Sequence, residues 1–304
     1  MKYWVTYPIV GAGYDDDLVS GASIARFAQA AEAAGFDGVG FTDHPAPSDK
    51  WLRSGGHDAL DPFAALAFVA AATERLLLIP NIIVLPYRNP FLVAKLSATL
   101  DALSGGRFVL STALGYLRSE YRSLGVDFQA RNELFDEALE VLRGVWSTDA
   151  FAFEGSGYTA SGVTANPKPK RVPIWIGGNS QKTRRRVAQS GDGWNPFPAS
   201  AQMAQTTGTV PLETPAELAA MLEYLWQKVE EAGRDRSSID VAFGAAHGNV
   251  ADKDFDAAHH LDLLGELADL GVTWNGVSVP GDSTAHALEA LAEYGEKVIA
   301  PSRK

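Results

Sequence analysis

Asp43-His44 stands just before Pro45, at the end of Asp37 to Thr42, DGVGFT, a small-residue run that reads as a strand. Histidine donates or accepts a proton near neutral pH, so at a strand end it could act as a general acid or base; the plainer reading is a ring packed under Pro45 that caps a turn. A second stretch with chemical content is Pro173 to Arg186, PIWIGGNSQKTRRR. It reads as a buried strand, a glycine pair at Gly177-Gly178, and Asn179 or Ser180 as the N-cap of a helix carrying Lys182, Arg184, Arg185 and Arg186. Glycine lets a ligand approach the backbone, and the free N–H groups and positive dipole end of a helix start attract an anion. Without a ligand, the same residues describe an ordinary strand-to-helix turn with a solvated basic face. Successive helical residues point about 100° apart, so at most one or two of the arginines could face one ligand. Leu114-Gly115-Tyr116 adds a glycine after a further strand, and Trp51, Tyr87, Trp194 and Trp274 could form an aromatic rim. Together these residues suit a large flat ligand with an anionic tail, although each tryptophan alone also reads as core.

Other chemistries are excluded by what is missing. The absence of cysteine removes thiolate nucleophiles, disulfides and zinc–thiolate sites. There is no G-x-S-x-G elbow and no G-x-G-x-x-G fingerprint, since the glycine turn reads Gly177-Gly178-Asn179-Ser180. No metal site is expected: His259 and His260 are adjacent and diverge on a helix, while Asp252, Asp254 and Asp256 mimic a calcium loop that lacks its glycine and terminal glutamate. His57, His247 and His286 have no constellation around them, although His247 lies just past the seventh strand. A Schiff-base aldolase would need a lysine at a strand end, and none stands there. The net charge of -11 argues against nucleic acid or an anionic membrane as partner. The start MKYWVTYP lacks a signal-peptide pattern, and no run approaches the roughly 18 apolar residues of a spanning helix, so a cytoplasmic location is expected.

The elements that must position these groups alternate along the chain. Strands are expected at 2–7, 37–42, 75–85 with a break at Pro80, 107–112, 173–176, 193–196, 239–244 and 272–279. Between them run helices with N-cap and proline starts, Asp61-Pro62, Asn89-Pro90 and Thr214-Pro215. The rhythm breaks at 149–172, read as an insertion made of a hairpin and an extended Pro-Lys arm over one end of the fold. This alternation, with no linker-like segment, favours a single (β/α)8 TIM barrel over residues 1–304, with a doubly wound sheet as the other arrangement. In a barrel, functional groups follow the strands, so the loops beginning near Pro8, Asp43, Asn81, Ala113, Gly177, Asn195, Ala245 and Pro280 hold the candidate site positions.

Taken together, FTDHP at 41–45, LPYRNP at 85–90, GRFVLSTALGYLRSEYRSLG at 106–125, RNELFDEALEVLRGVW at 131–146, PIWIGG at 173–178 and RRVAQSGDGW at 185–194 resemble the bacterial luciferase-like flavin-dependent monooxygenases. Within them the chain is most similar to the oxidoreductases that use coenzyme F420, an 8-hydroxy-5-deazaflavin. The resemblance implies a barrel with an insertion after the fourth helix and a cofactor across its mouth, the phosphate held by Gly177, Gly178 and Asn179. It places His44 near the reactive face and the Asn81-Ile82 peptide beneath the ring, as a cis bond in some relatives. Asp43, Gly115 and Trp194 complete the expected cofactor-binding set, and His44 and Tyr116 the catalytic one. Some deazaflavin-dependent sugar-phosphate dehydrogenases of the family carry a catalytic glutamate where this chain has Tyr116; Glu120 lies four residues on. That departure leaves the substrate class open and leaves Tyr116 to contact the ring or donate a proton. The implied activity is hydride transfer between F420 and a small organic substrate. An FMN-dependent monooxygenase using O2 and a non-catalytic flavin-binding barrel are the alternatives. Family members are often homodimers.

Overall fold

Alternation in the first strand sorts its side chains into two layers. Tyr3 and Val5 pack outward against helices, and Trp4 points inward. The computed structural model describes residues 1–11, 13–245 and 248–303, so His247 lies outside the described residues. Its strands are β1 (Lys2–Thr6), β2 (Gly38–Gly40), β3 (Leu77–Leu78), β4 (Ile83–Val84), β5 (Leu110–Ala113), β6 (Phe151–Glu154), β7 (Thr159–Val163), β8 (Ile174–Gly177), β9 (Gly193–Asn195), β10 (Asp240–Phe243) and β11 (Trp274–Val277).

All except β6 and β7 form one parallel sheet in the order β3-β2-β1-β11-β10-β9-β8-β5-β4. The two ends of that order belong to a single stave. β3 and β4 are halves of the run Leu77 to Val84, interrupted at Pro80 and at a cis Asn81–Ile82 peptide. β3 pairs with β2, β4 pairs with β5, and a bridge between Leu78 and Phe108 joins the halves to the same neighbour. The result is a (β/α)8 barrel, the arrangement expected from the alternation.

The barrel interior is closed below by Trp4, Trp175 and Trp274 with Ile79, Val109 and Ala242. Glycines on neighbouring strands make room for the indoles: a Cβ on Gly193 would lie 2.3 Å from Trp175, and one on Gly276 2.6 Å from Trp4. Trp274 is therefore not a rim residue. It opens β11 facing inward, 1% exposed, with its ring 5.3 Å from that of Trp175.

The surrounding helices start at the mouth, with Asp61, Asn89 and Thr214 capping Pro62–Ala72, Pro90–Ser104 and Pro215–Glu231 as their sequences predict. The insertion does form an antiparallel hairpin, β6 with β7. It lies along the flank of the helix Arg131–Ser147 rather than over an end of the barrel, because Glu137 accepts hydrogen bonds from the N–H groups of Ser156, Gly157 and Tyr158. Between β9 and the helix Pro215–Glu231 the chain forms the short helix Ala201–Thr207. Leu92, Leu96 and Leu103 are exposed on the helix Pro90–Ser104, and Phe68 is exposed on the helix Pro62–Ala72. Among the described residues, no helix is long and apolar enough to cross a membrane.

Candidate active site

A cavity of about 870 Å³ opens at the carboxyl ends of the strands. That volume lies in the range of small-molecule and cofactor sites. Asp43, His44, Asn81, Ile82, Gly115 and Tyr116 line it together with Gly177, Gly178 and Asn179, so the sequence-predicted set, Trp194 excepted, converges on one space.

His44 is backed by a carboxylate that the sequence reading passed over. Its Nδ1 lies 3.3 Å from Oε2 of Glu120, a residue 1% exposed in the short helix Arg118–Ser123. Glu120 also accepts from the Tyr87 hydroxyl at 3.0 Å and from the Ala46 N–H at 3.1 Å. Burial, reinforced by the Glu120 charge, pushes the Tyr87 hydroxyl far above its ordinary value, so it keeps its proton and must donate. Oε2 therefore accepts from both neighbours, which puts the hydrogen of His44 on Nδ1 and leaves Nε2 as the working atom. Tyr116 stands beside this network. Burial, again with Glu120, raises its hydroxyl, which makes it a hydrogen-bond donor and not a base.

The floor of the cavity is a polar layer above the tryptophans. The Asn81 side chain donates to Thr6 at 3.2 Å, and Asn195 donates to the Asn81 side-chain oxygen and to Ser111, each at 3.2 Å. These bonds fix the cis Asn81–Ile82 peptide in the cavity wall. Asn195 is one of the strand-end positions expected from sequence, and Thr42 is a further lining residue that was not selected. The Thr42 Oγ1 is buried without a partner among the described residues, an atom that a ligand could satisfy.

Asp43 also lines the cavity, and its carboxylate is engaged by the strands beside it. Its carboxylate accepts from both Arg88 nitrogens, at 2.6 and 2.7 Å, and from the Val84 N–H at 2.8 Å. The guanidinium fork and the Val84 N–H occupy three of its acceptor positions, so it acts as a clamp that holds β4 beside the end of β2.

At the glycine turn, Gly178 has φ of 113° and its Cβ would lie 3.3 Å from the Thr183 hydroxyl, so a side chain there is strained as well as crowded. Ser180 caps the helix Gln181–Ser190, accepting from Thr183 N–H. Asn179 is 1% exposed, and its side chain is spent on the loop opposite: it donates to the carbonyls of Phe197 and Val210 and accepts from Phe197 N–H. Only its backbone remains for a ligand. Trp194, expected against the cofactor, is fully buried outside the barrel wall and does not line the cavity. Its indole N–H donates to the Gly178 carbonyl at 2.9 Å and supports the turn from behind.

The basic cluster is mostly structural. Arg184 donates to the Asn179 carbonyl and lies over Trp194 and Tyr224, Arg185 reaches the Tyr224 hydroxyl, and Arg186 pairs with Asp136. Lys182 alone of the four lines the cavity, joined across the rim by Arg118 and Arg131, which stack over Phe128 at 4.0 and 3.7 Å. A glycine cradle, an orphaned buried hydroxyl and three basic rim groups fit a flat cofactor that ends in phosphate. Among the described residues, no group of three or more His, Asp or Glu side chains could hold a metal ion.

Residues 1–298 match the family model of the luciferase-like monooxygenases. The chain belongs to that family. It is 27% identical over 254 residues to pyrimidine monooxygenase RutA of Allorhizobium ampelinum, covering 78% of this chain and 65% of the relative. Identity to the F420-dependent glucose-6-phosphate dehydrogenase of Microbacterium testaceum is 29% over 220 residues, covering 70% and 60%. An uncharacterised protein of Mycobacterium tuberculosis shares 33% identity over 180 residues, covering 55% and 62%. The chain thus spans less than two thirds of the length of these luciferase-like relatives. The F420-dependent tetrahydromethanopterin reductase of Methanopyrus kandleri has the same fold, with a TM-score of 0.73 at 16% identity over 99% of each chain.

Proposed function

We propose that this luciferase-like barrel is an oxidoreductase that moves a hydride between coenzyme F420 and a small organic substrate bound in the same cavity. The observation that carries the reading is His44, set between that cavity and the buried Glu120 and facing the space that the glycine turn borders. Bound F420 would supply two-electron hydride chemistry. The chain's own residues do the rest. The backbone of Gly177, Gly178 and Asn179 holds phosphate, and the Asn81-Ile82 peptide supports the ring. His44 Nε2 holds or moves the proton on the substrate while Nδ1–H stays anchored on Glu120, and Tyr116 donates a hydrogen bond. The named F420-dependent relatives support this choice. FMN-dependent oxygen chemistry is the second reading, supported by the similarity to RutA, a monooxygenase. A non-catalytic flavin-binding barrel has no use for a buried carboxylate behind a cavity histidine. The same reading takes the protein as one cytoplasmic domain acting without nucleic acid or membrane, and as a homodimer.

Cofactor titration tests the reading. F420 fluorescence is expected to change saturably on adding the protein, with FMN binding more weakly. Gly178→Ala should weaken F420 by about tenfold or more, since alanine must adopt a left-handed conformation against Thr183. FMN retained through purification, with no response to F420, would transfer the assignment to the monooxygenase reading. With F420 bound, His44→Ala is expected to slow hydride exchange by about 100-fold or more, and an equal rate removes His44 from the chemistry.

A further inference from the structure

Two of the six histidines meet at the cavity wall, and only His44 has a role so far. His57 lines the same cavity, its ring 4.8 Å from that of His44, centroid to centroid, and at 89° to it. Trp51 packs against both, at 4.5 and 5.5 Å, so the two imidazoles are held by one indole.

The Nδ1 partner of each ring decides which nitrogen is available. The Asp58 carbonyl, 2.8 Å from His57 Nδ1, can only accept, so Nδ1 carries the hydrogen and Nε2 of the neutral ring keeps its lone pair. Burial holds His57 below the ordinary histidine value in spite of that bond, which keeps the neutral form in use. His44, anchored on Glu120 through Nδ1, also works through Nε2. With a proton on His44 Nε2, the wall donates at His44 and accepts at His57. One simple function matches both through a single oxygen, a hydroxyl; a carbonyl oxygen leaves the His57 lone pair unmatched.

We propose that His57 is a substrate-contacting residue that selects a hydroxyl-bearing small molecule, its Nε2 accepting the hydroxyl hydrogen while His44 Nε2 addresses the same oxygen. The assignment rests on the functional reading above only in taking the cavity as a small-molecule site. It gives the loop after β2 a role in specificity that depends on one side chain.

Protein with ¹⁵N-labelled histidine rings can be titrated with 2-propanol and cyclohexanol, and with acetone and cyclohexanone, in wild type, His57→Leu and His57→Gln. In the free protein His57 is expected as the Nδ1–H tautomer. The alcohols shift its Nε2 signal and the ketones leave it in place. His57→Leu weakens the alcohols about fivefold relative to the ketones, a hydrogen bond's worth, and His57→Gln, whose amide oxygen can accept, recovers part of the loss. An Nε2–H tautomer, equal responses to alcohols and ketones, equal losses for both, or no alcohol response overturns the assignment. Parallel titration of wild type with F420 and FMN separates the two failures. If neither cofactor binds while alcohol selectivity holds, the functional reading falls and His57 stands; if a cofactor binds and selectivity is absent, His57 falls alone.

Discussion

Glutamine at position 120 keeps the shape of Glu120 and turns one acceptor oxygen into a donor. Glu120 is 1% exposed and accepts three hydrogen bonds, Oε2 from His44 and Tyr87 at 3.3 and 3.0 Å and Oε1 from Ala46 N–H at 3.1 Å. If the amide nitrogen took the Oε2 place, it would oppose two donors. The less costly orientation keeps oxygen there and sets the amide N–H against that of Ala46, leaving two buried donors facing each other. That costs about 1–3 kcal/mol, which urea unfolding of Glu120→Gln should register. Tyr87→Phe alone removes one donor and costs about 1 kcal/mol. Because Tyr87 and His44 share one oxygen, the double variant should depart from additivity by about 0.5 kcal/mol or more. If the same loss is felt in the transition state, the proposed hydride transfer slows by roughly 5- to 150-fold. An unfolding change below about 0.5 kcal/mol, additive with Tyr87→Phe, would refute the account, since residues in one buried network do not behave as strangers.

Two further perturbations address the frame around the site. Burial holds both His57 and His260 below the ordinary histidine value, so the unfolded chain binds protons more readily than the folded one between those lowered values and about pH 6.5. Stability therefore rises with pH through that window and is lost on acidification below about pH 6.5, more shallowly in His260→Gln. Urea midpoints between about pH 7.5 and pH 5 check this, and a flat wild-type profile is incompatible with it. Asp43→Asn strips Arg88 of its bidentate partner and should cost about 3 kcal/mol, the low end for a broken buried pair because Asp61 remains at 3.3 Å. The double variant Asp43→Asn/Arg88→Met is expected to recover part of the loss in thermal unfolding, and a loss below about 1 kcal/mol for Asp43→Asn would leave the clamp without energetic content.

The barrel and its mouth are legible in sequence where the signal is local. An N-cap followed by proline, as at Asp61-Pro62 and Asn89-Pro90, needs only its own turn to act, and both start helices. The glycine turn after β8 is local in the same sense and forms where the sequence places it, with Gly178 at φ 113° and Ser180 as the N-cap, while most of the arginines turn elsewhere. Arg184 and Arg186 point to a carbonyl and a carboxylate supplied by folding, the latter 50 positions away at Asp136. The helix Ala201–Thr207 also had a local signal, Ser200 at its cap and Gly208 in the left-handed conformation at its end, masked by the polar composition between them.

Side-chain direction along a short strand is harder to read, because a shift of one residue exchanges core for site. Trp194 faces the helices, and its neighbour Asn195 faces the interior and joins the polar floor. Trp274 faces the interior too, but one layer too low to meet a ligand. Glu120 is the informative case. In sequence, Leu117, Glu120, Tyr121 and Leu124 fall at helical spacing around the short helix Arg118–Ser123, and Glu120 is buried there beside Tyr121, so a carboxylate occupies a position that the pattern reserves for apolar side chains. A charge on a buried face demands a partner, which folding supplies from 76 positions away as His44. The anomaly marks the residue before its partner is known, and a polar group that breaks an apolar face is therefore a better guide to this site than the count of aromatic or basic residues nearby.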